Sequence, residues 1–294
     1  MELIDKDHNA LLITLDSCRM DTYKRAKTPN LDSIAVARPA QTRGNYTLPS
    51  HMSIFSGYLP YTEGSDDYYG LDGGQLWRIC TANRTNKNIG IMMDGRSIID
   101  GYRNLGFSIR GFGGTKYFWD KADKLRSDFK DDEFVHFSHD HFNGDRFGTI
   151  RMKENMAFSN TDRIFQSIDG VENWFLFINS SETHHPYHLG EFDQRTKELV
   201  DYSRKFANGK SDPEKTYYYS NGGNELHDIQ VRSLEYVDKN LGILLKELPK
   251  SKPIVAVVCG DHGECFGERE KWGHMINEPE VLEVPLIINP SFTP

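Results

Sequence analysis

Ile254-Val-Ala-Val-Val258-Cys259-Gly260-Asp261-His262-Gly263-Glu264 is the stretch that decides the fold. Its apolar, mostly β-branched start is too short for a typical helix and suits a strand covered on both faces. The chain then presents a carboxylate and an imidazole. Burying such groups at the end of a core strand is costly unless they are paired or coordinated. The carboxyl ends of parallel strands are also where open α/β sheets hold their ligands. The arrangement recurs near the other end of the chain, where Leu11-Leu-Ile-Thr-Leu15 runs into Asp16.

Outward from these two segments, apolar runs at 10–15, 89–93, 107–112, 174–178, 254–258 and 284–288 read as buried strands, with helical patterns between them. That alternation predicts an α/β fold: a largely parallel central sheet with helices on both faces, a three-layer sandwich. The clearest helix spans 225–248, with Leu226, Ile229, Leu234, Val237, Leu241, Leu244, Leu245 and Leu248 on one stripe. Thr28-Pro29 predicts a short helix through Leu31 and Ile34, with Thr28 as its cap. A turn followed by a helix is expected over 45–56, starting near Pro49. Residues 111–145 and 203–224, rich in aromatics, Gly and charge, are expected to be inserted loops over a site.

A chain of 294 residues with 37% hydrophobic content is expected to form a single domain over 1–294. The net charge of -8 argues against a nucleic-acid polymer or an anionic membrane surface as partner, because both select basic faces. No basic leader and no bilayer-length apolar run is present, so a soluble, cytoplasmic protein is expected. Cys18, Cys80, Cys259 and Cys265 are few and scattered, and read as buried reduced thiols.

Asp261-His262 combines a hard oxygen donor with an imidazole, a mixture that suits zinc or manganese better than an all-oxygen calcium cage. Asp16 occupies the matching strand end, and Thr47-Leu-Pro-Ser-His51 sets a hydroxyl at a helix start, where the dipole favours an anion. Each piece has an ordinary alternative: an Asp at a strand end caps turns, and Thr-x-Pro-Ser is a common helix start. His139 and His141 read as a polar loop.

Taken together, the pieces resemble the alkaline phosphatase and sulfatase superfamily. The matching residues are Leu15-Asp16-Ser-Cys-Arg19-Met-Asp21, Thr28-Pro-Asn-Leu-Asp32, Thr47-Leu-Pro-Ser-His51 through Gly57-Tyr-Leu-Pro60, Gly260-Asp-His-Gly-Glu264 with Gly267-Glu268, Trp272-Gly-His274, and Val284-Pro-Leu-Ile-Ile288. They span nearly the whole chain, with the middle third matching loosely. The larger sulfatases continue into a second, smaller domain at the C-terminus, and this chain is expected to lack it.

The resemblance implies a divalent metal, zinc or manganese as one or two ions, held by Asp16, Asp261 and His262 with Thr47 as a further ligand and as the catalytic nucleophile. Common sulfatases use a Cys/Ser-x-Pro-x-Arg segment whose first residue becomes formylglycine. Here Thr47 stands at that place and His51 replaces the Arg, which shifts the expectation from sulfate to phosphate. The expected activity is hydrolysis of phosphoric esters, diester or monoester, through a phosphothreonine. The alternatives are a phosphoryl or phospho-alcohol transferase, a sulfuric-ester hydrolase, and a metal-binding partner subunit without turnover. A second metal or substrate contact is expected from Glu182, His185 and His274, with His184 as the alternative to His185. In two-metal relatives an Asp precedes the His by four positions, whereas Glu182 precedes His185 by three. Arg19, Asn45 and Lys116 are weaker candidates for substrate contact, and Arg43, Arg269 and Lys271 read equally as surface charge. The expected partner is a small anionic ester, with an oligomer or a partner chain to close the site.

Overall fold

β1 (Asn9–Leu15) is the middle strand of a sheet that also contains β2 (Arg38–Gln41), β3 (Ser108–Gly113), β4 (Phe134–His136), β5 (Trp174–Ser180), β6 (Ile254–Gly260) and, after the small hairpin of β7 (Cys265–Phe266) and β8 (Trp272–Gly273), β9 (Glu283–Phe292). The computed structural model describes residues 6–57, 97–118, 124–137, 156–185, 187, 194–195, 198–199 and 213–294, the side chains of Lys116 and of 213–222 excepted. The strand order is β2-β9-β6-β1-β5-β3-β4. The run from β6 to β4 is parallel throughout, β9 pairs antiparallel with β6, and β2 pairs antiparallel with β9.

Alternation along the strands sorts the core into two faces. On one face Leu11, Ile13 and Leu15 join Leu176, Ile178, Ala256 and Val258. They pack under α1 (Met20–Arg25), α2 (Pro29–Ile34) and two helices later in the chain. Ala10, Leu12, Phe175 and Phe177 point the other way, against α3 (Thr47–Ser56), α4 (Ile98–Asn104) and α5 (Lys124–Ser127). Helices on both faces of a mostly parallel sheet make the expected three-layer α/β fold. α6 (Thr161–Gln166) and the long α7 (Pro213–Glu247) complete the first layer, and α8 (Pro279–Leu282) leads into β9.

Several elements differ from the sequence pattern. The strand expected at 89–93 lies outside the described residues, as do Cys80, His139 and His141. The described parts of 111–145 are not loops over a site. They hold the end of β3, a 3-10 turn at Lys116–Phe118, α5 and the edge strand β4. Their rings Phe118, Phe129 and Phe134 are core, where each contributes a large apolar area. Within 203–224, residues from Pro213 onward are helical, so α7 starts twelve residues before the expected Glu225. Asp212-Pro213-Glu214 is a helix-start signal, a cap residue followed by Pro at the first position and an acid in the first turn. At α2 Thr28 makes no side-chain cap bond. The amides of Asn30 and Leu31 bond instead to Asp238 of α7, at 3.0 and 2.8 Å.

α7 also ties together two turns at the carboxyl ends of the strands. Gln230 Nε2 donates to the carbonyls of Ser17 (2.8 Å) and Thr183 (3.1 Å), and its Oε1 accepts from Thr22 Oγ1 (2.5 Å). Thr22 has given its only proton to Gln230, so His227 Nε2, 2.9 Å from Thr22 Oγ1, donates to it. Burial, reinforced by Arg19 and Arg25 against the opposing pull of Asp21, lowers the His227 pKa from 6.5 to about 4. The unfolded chain therefore takes up this proton first. Stability from His227 is complete above pH 6.5 and is lost as the pH falls toward 4. Replacing His227 with Gln should flatten the melting temperature against pH across that interval, and parallel curves for variant and wild type would contradict the assignment.

The cysteines follow expectation among the described residues: Cys18, Cys259 and Cys265 are buried and unpaired. No helix there is long and apolar enough to cross a membrane.

Candidate active site

Strand register builds the site. Leu15 of β1 lies level with Gly260 of β6 and with Ser180 of β5, so Asp16, Asp261 and Ser181 leave the sheet side by side. Asp16 N still bonds to Ser180 O at 2.9 Å. Ser17 then turns at φ 61, an uncommon backbone state for a residue with a side chain. That turn directs Ser17 N to Asp261 Oδ1 at 3.1 Å, and His262 N donates to the same oxygen at 2.8 Å. One carboxylate oxygen of Asp261 is thus held by two backbone amides. Its other oxygen, Oδ2, and Asp16 Oδ2 are buried with no hydrogen-bond partner.

His262 completes the group. Its Nδ1 lies 2.8 Å from Gly263 O, and because a carbonyl only accepts, the ring proton sits on Nδ1. Nε2 therefore presents its lone pair to Asp16 Oδ1 at 3.5 Å, Asp261 Oδ2 at 3.7 Å and Thr47 Oγ1 at 3.5 Å. Gly263 is required here, since a Cβ would come within 2.0 Å of Glu280 O. Ligand atoms of Asp16, Asp261 and His262 all lie within 4.8 Å of one another.

The electrostatics of this group follow from its burial. Burial first, and the Asp261 charge second, raise the Asp16 pKa well above the carboxylate range. Burial raises that of Asp261 to about 7. Burial and the nearby His274 push His262 well down, which keeps its imidazole neutral. Two fully buried carboxylates with unpartnered oxygens, beside an imidazole lone pair, form a donor set that a divalent cation satisfies. The Gly263 carbonyl behind Nδ1 fixes the ring tautomer, as is usual for metal-ligating histidines. The residues fit the ion that the sequence pattern implied.

Thr47 opens α3 as its first residue, two positions earlier than the Pro49 start expected, after Tyr46 in extended conformation; the helix closes on Gly57 in the left-handed region. Its hydroxyl stands at the positive end of the helix, beside His262.

A second group adjoins the first. His185 Nδ1 and His274 Nδ1 approach Glu264 Oε1 at 3.3 and 3.5 Å, and the His262 and His274 rings have centroids 4.7 Å apart. Burial would raise the Glu264 pKa, but His185 and His274 outweigh it and hold the carboxylate well below its usual value. The His184 ring lies tilted beside that of His185, with centroids 4.1 Å apart, while its Nδ1 bonds to the His185 carbonyl. Between the two alternatives, His185 is thus the one that faces Glu264.

Two expectations are corrected. Glu182 does not join His185 and His274. It is buried in the core layer, where it accepts from Ser180 Oγ (2.6 Å) and Phe158 N (2.7 Å), and Glu264 takes the carboxylate position. The Asp-His-Gly-Glu spacing was the available signal, together with the mismatch between Glu182 and His185. Arg19 is not a substrate contact: its guanidinium bonds to both oxygens of Asp21 (2.7 and 2.6 Å), to Glu268 Oε1 (2.5 Å) and to Glu264 O (3.1 Å). Asn45 Nδ2 donates to Asn277 Oδ1 (3.0 Å) and the Asn45 backbone carbonyl accepts from Met275 N (2.8 Å), which joins the Thr47 turn to the His274 loop. Arg269 and Lys271 pair with Glu278 on the surface, and Arg43 is exposed. The Lys116 side chain lies outside the described residues. Among the described residues the basic side chains gathered at the site are histidines rather than Arg or Lys.

This architecture has known counterparts. The chain resembles a 2-O GAG sulfatase (TM-score 0.58, 13% identity, covering 98% of this chain and 64% of that one). It also resembles the phosphonate monoester hydrolase of Silicibacter pomeroyi (0.55, 16%, 96% and 68%). A third likeness is to the C-terminal periplasmic domain of the phosphoethanolamine transferase EptC of Campylobacter jejuni (0.55, 12%, 96% and 79%). The chain thus spans 64% of the length of the first of these neighbours. No curated protein matches it. The sulfatase family model matches residues 8–293, and with Asp16, Thr47, Asp261 and His262 gathered at the strand ends this chain belongs to the sulfatase family.

Proposed function

We propose that the chain is a metal-dependent phosphoric-ester hydrolase, with diesters ahead of monoesters, acting through a covalent intermediate on Thr47. The observation that carries this reading is Thr47 Oγ1 at a helix start, 3.5 Å from His262 Nε2 and beside the buried Asp16 and Asp261 carboxylates. Members of the superfamily use divalent metals, and the Asp-Asp-His group is the place for one. A zinc or manganese ion held by Asp16, Asp261, His262 and the Thr47 oxygen would supply Lewis acidity, which eases deprotonation of the hydroxyl and offsets charge on phosphoryl oxygens.

Thr47 Oγ attacks phosphorus, and the bond from phosphorus to the leaving alcohol breaks as the new one forms. The hydroxyl proton passes to solvent, and the leaving oxygen takes a proton from His185 or His274. Water then attacks phosphorus, the Thr47 bond breaks, and the hydroxyl is restored. Glu264 keeps both histidines oriented toward the substrate, and the three side chains would hold a second ion where one is bound. Threonine cannot form the aldehyde of formylglycine, which favours phosphate over sulfate.

The likeness to phosphoethanolamine transferases supports a second reading, in which an acceptor alcohol replaces water in the second step. Both readings share one test. The manganese-loaded protein is mixed with bis(p-nitrophenyl) phosphate, quenched in acid and digested. The expected result is a nitrophenyl phosphoryl group on the peptide containing Thr47, and product release without any such adduct on Thr47 argues against covalent catalysis there. Added alcohol that appears in the product marks transfer.

A further inference from the structure

His51 stands where the common sulfatase pattern has Arg, four residues after the nucleophile position, and its side chain is fully buried. The rings of Phe55, Phe118 and Phe177 surround it edge-on, with centroids 5.9, 5.5 and 6.0 Å away. Its Nδ1 lies 2.8 Å from Thr47 O and 3.5 Å from Asp261 Oδ2. A carbonyl only accepts, so the bond to Thr47 O puts the ring proton on Nδ1, at the helix start and beside the carboxylate. On the far side Nε2 receives the Thr14 hydroxyl at 2.9 Å, and Thr14 Oγ1 in turn accepts from Asn179 Nδ2 at 3.1 Å. Thr14 and Asn179 are paired in register across β1 and β5, so the sheet itself holds this relay in line.

We propose that His51 is a positioning residue: its Nδ1–H anchors the first turn of α3 through the Thr47 carbonyl, with the Asp261 carboxylate alongside, and so sets the Thr47 hydroxyl against the metal-binding group, with Thr14 and Asn179 fixing the tautomer that does this. An Arg at this place would bring a positive charge to the nucleophile. A neutral His keeps the directed donor and omits the charge. The inference rests on the reading of Thr47 as nucleophile.

Three variants of the full chain separate the two ideas. His51→Phe keeps a ring of similar shape and removes both nitrogens, His51→Asn retains a donor near the Nδ1 position, and Thr47→Ala removes the nucleophile. Turnover of bis(p-nitrophenyl) phosphate, manganese affinity by calorimetry and circular dichroism are measured on each. His51→Phe should lower kcat and manganese affinity by about 10- to 100-fold, as expected for a group that orients a metal ligand. KM should stay near wild type, and His51→Asn should recover most of the loss. Wild-type kcat and metal affinity in His51→Phe, with Thr47→Ala inactive, would overturn the role of His51 alone. An active Thr47→Ala would overturn the nucleophile and this inference with it. Nitrogen-15 NMR of the wild-type His51 ring gives an answer independent of variant folding: the proton is expected on Nδ1, and a proton on Nε2 overturns the proposal.

Discussion

Thr47→Ala should reduce turnover of an aryl phosphodiester by at least about a thousandfold, the scale on which loss of a catalytic nucleophile acts. Thr47 is buried but makes no cap bond that folding depends on, so the melting temperature should move little. Thr47→Ser keeps the hydroxyl at the first position of α3 and should stay within about tenfold of wild type. The contrast between the two variants isolates the oxygen from the rest of the side chain. Turnover in Thr47→Ala within tenfold of wild type would end the covalent reading, because no other described hydroxyl is shown beside His262 Nε2.

Asp261→Asn should have opposite effects with and without metal. Asn can keep an oxygen toward the amides of Ser17 and His262, so the local turn survives. Its new amide hydrogens would face the unprotonated His262 Nε2, 3.7 Å from the present Oδ2. In wild type the folded-state pKa of Asp261 is raised from 3.8 to about 7, so its favourable contribution is complete below 3.8 and disappears as the pH rises through 7. At pH 8 the metal-free wild type therefore carries a buried Asp261 charge that burial disfavours, and metal-free Asp261→Asn should melt higher. Saturating manganese should then raise the melting point of wild type only. At a hundred times the dissociation constant that gain corresponds to about 2.7 kcal/mol. The variant should lose at least about a hundredfold in affinity, on the pattern of a lost ligand whose supporting groups alone carry 10- to 100-fold. A variant that binds manganese like wild type would remove Asp261 from the site.

Much of the fold was legible because burial writes itself into periodicity. The runs ending at Leu15 and Val258 could only be core strands, and their polar sequels Asp16 and Asp261-His262 could only be costly or functional. β2 and β4 were not legible: Arg38-Pro-Ala-Gln41 and Phe134-Val-His136 are short edge strands with almost no alternation to read. The start of α7 carried its signal in Asp212-Pro213-Glu214, but the following tyrosines and glycines imitate a loop. Gly223 stands in that helix because a Cβ there would meet Phe266 O at 1.7 Å, a reason no local pattern contains.

The sequence by itself determined the layered α/β fold and the identities of the metal-type ligands, since strand periodicity and ligand chemistry are both local properties. Only the tertiary structure decided which carboxylate meets His185 and His274, because Glu182 and Glu264 differ not in residue type but in direction. One turns back under β5 to satisfy Phe158 N, and the other turns up beside the metal group. It likewise assigned Arg19 to a strap between Asp21 and Glu268, and His51 to the underside of the nucleophile. Pairings such as Arg19 with Glu268 and Glu264 with His185 join distant parts of the chain, set by strand register and helix packing, and the residue sequence records the partners without recording who meets whom.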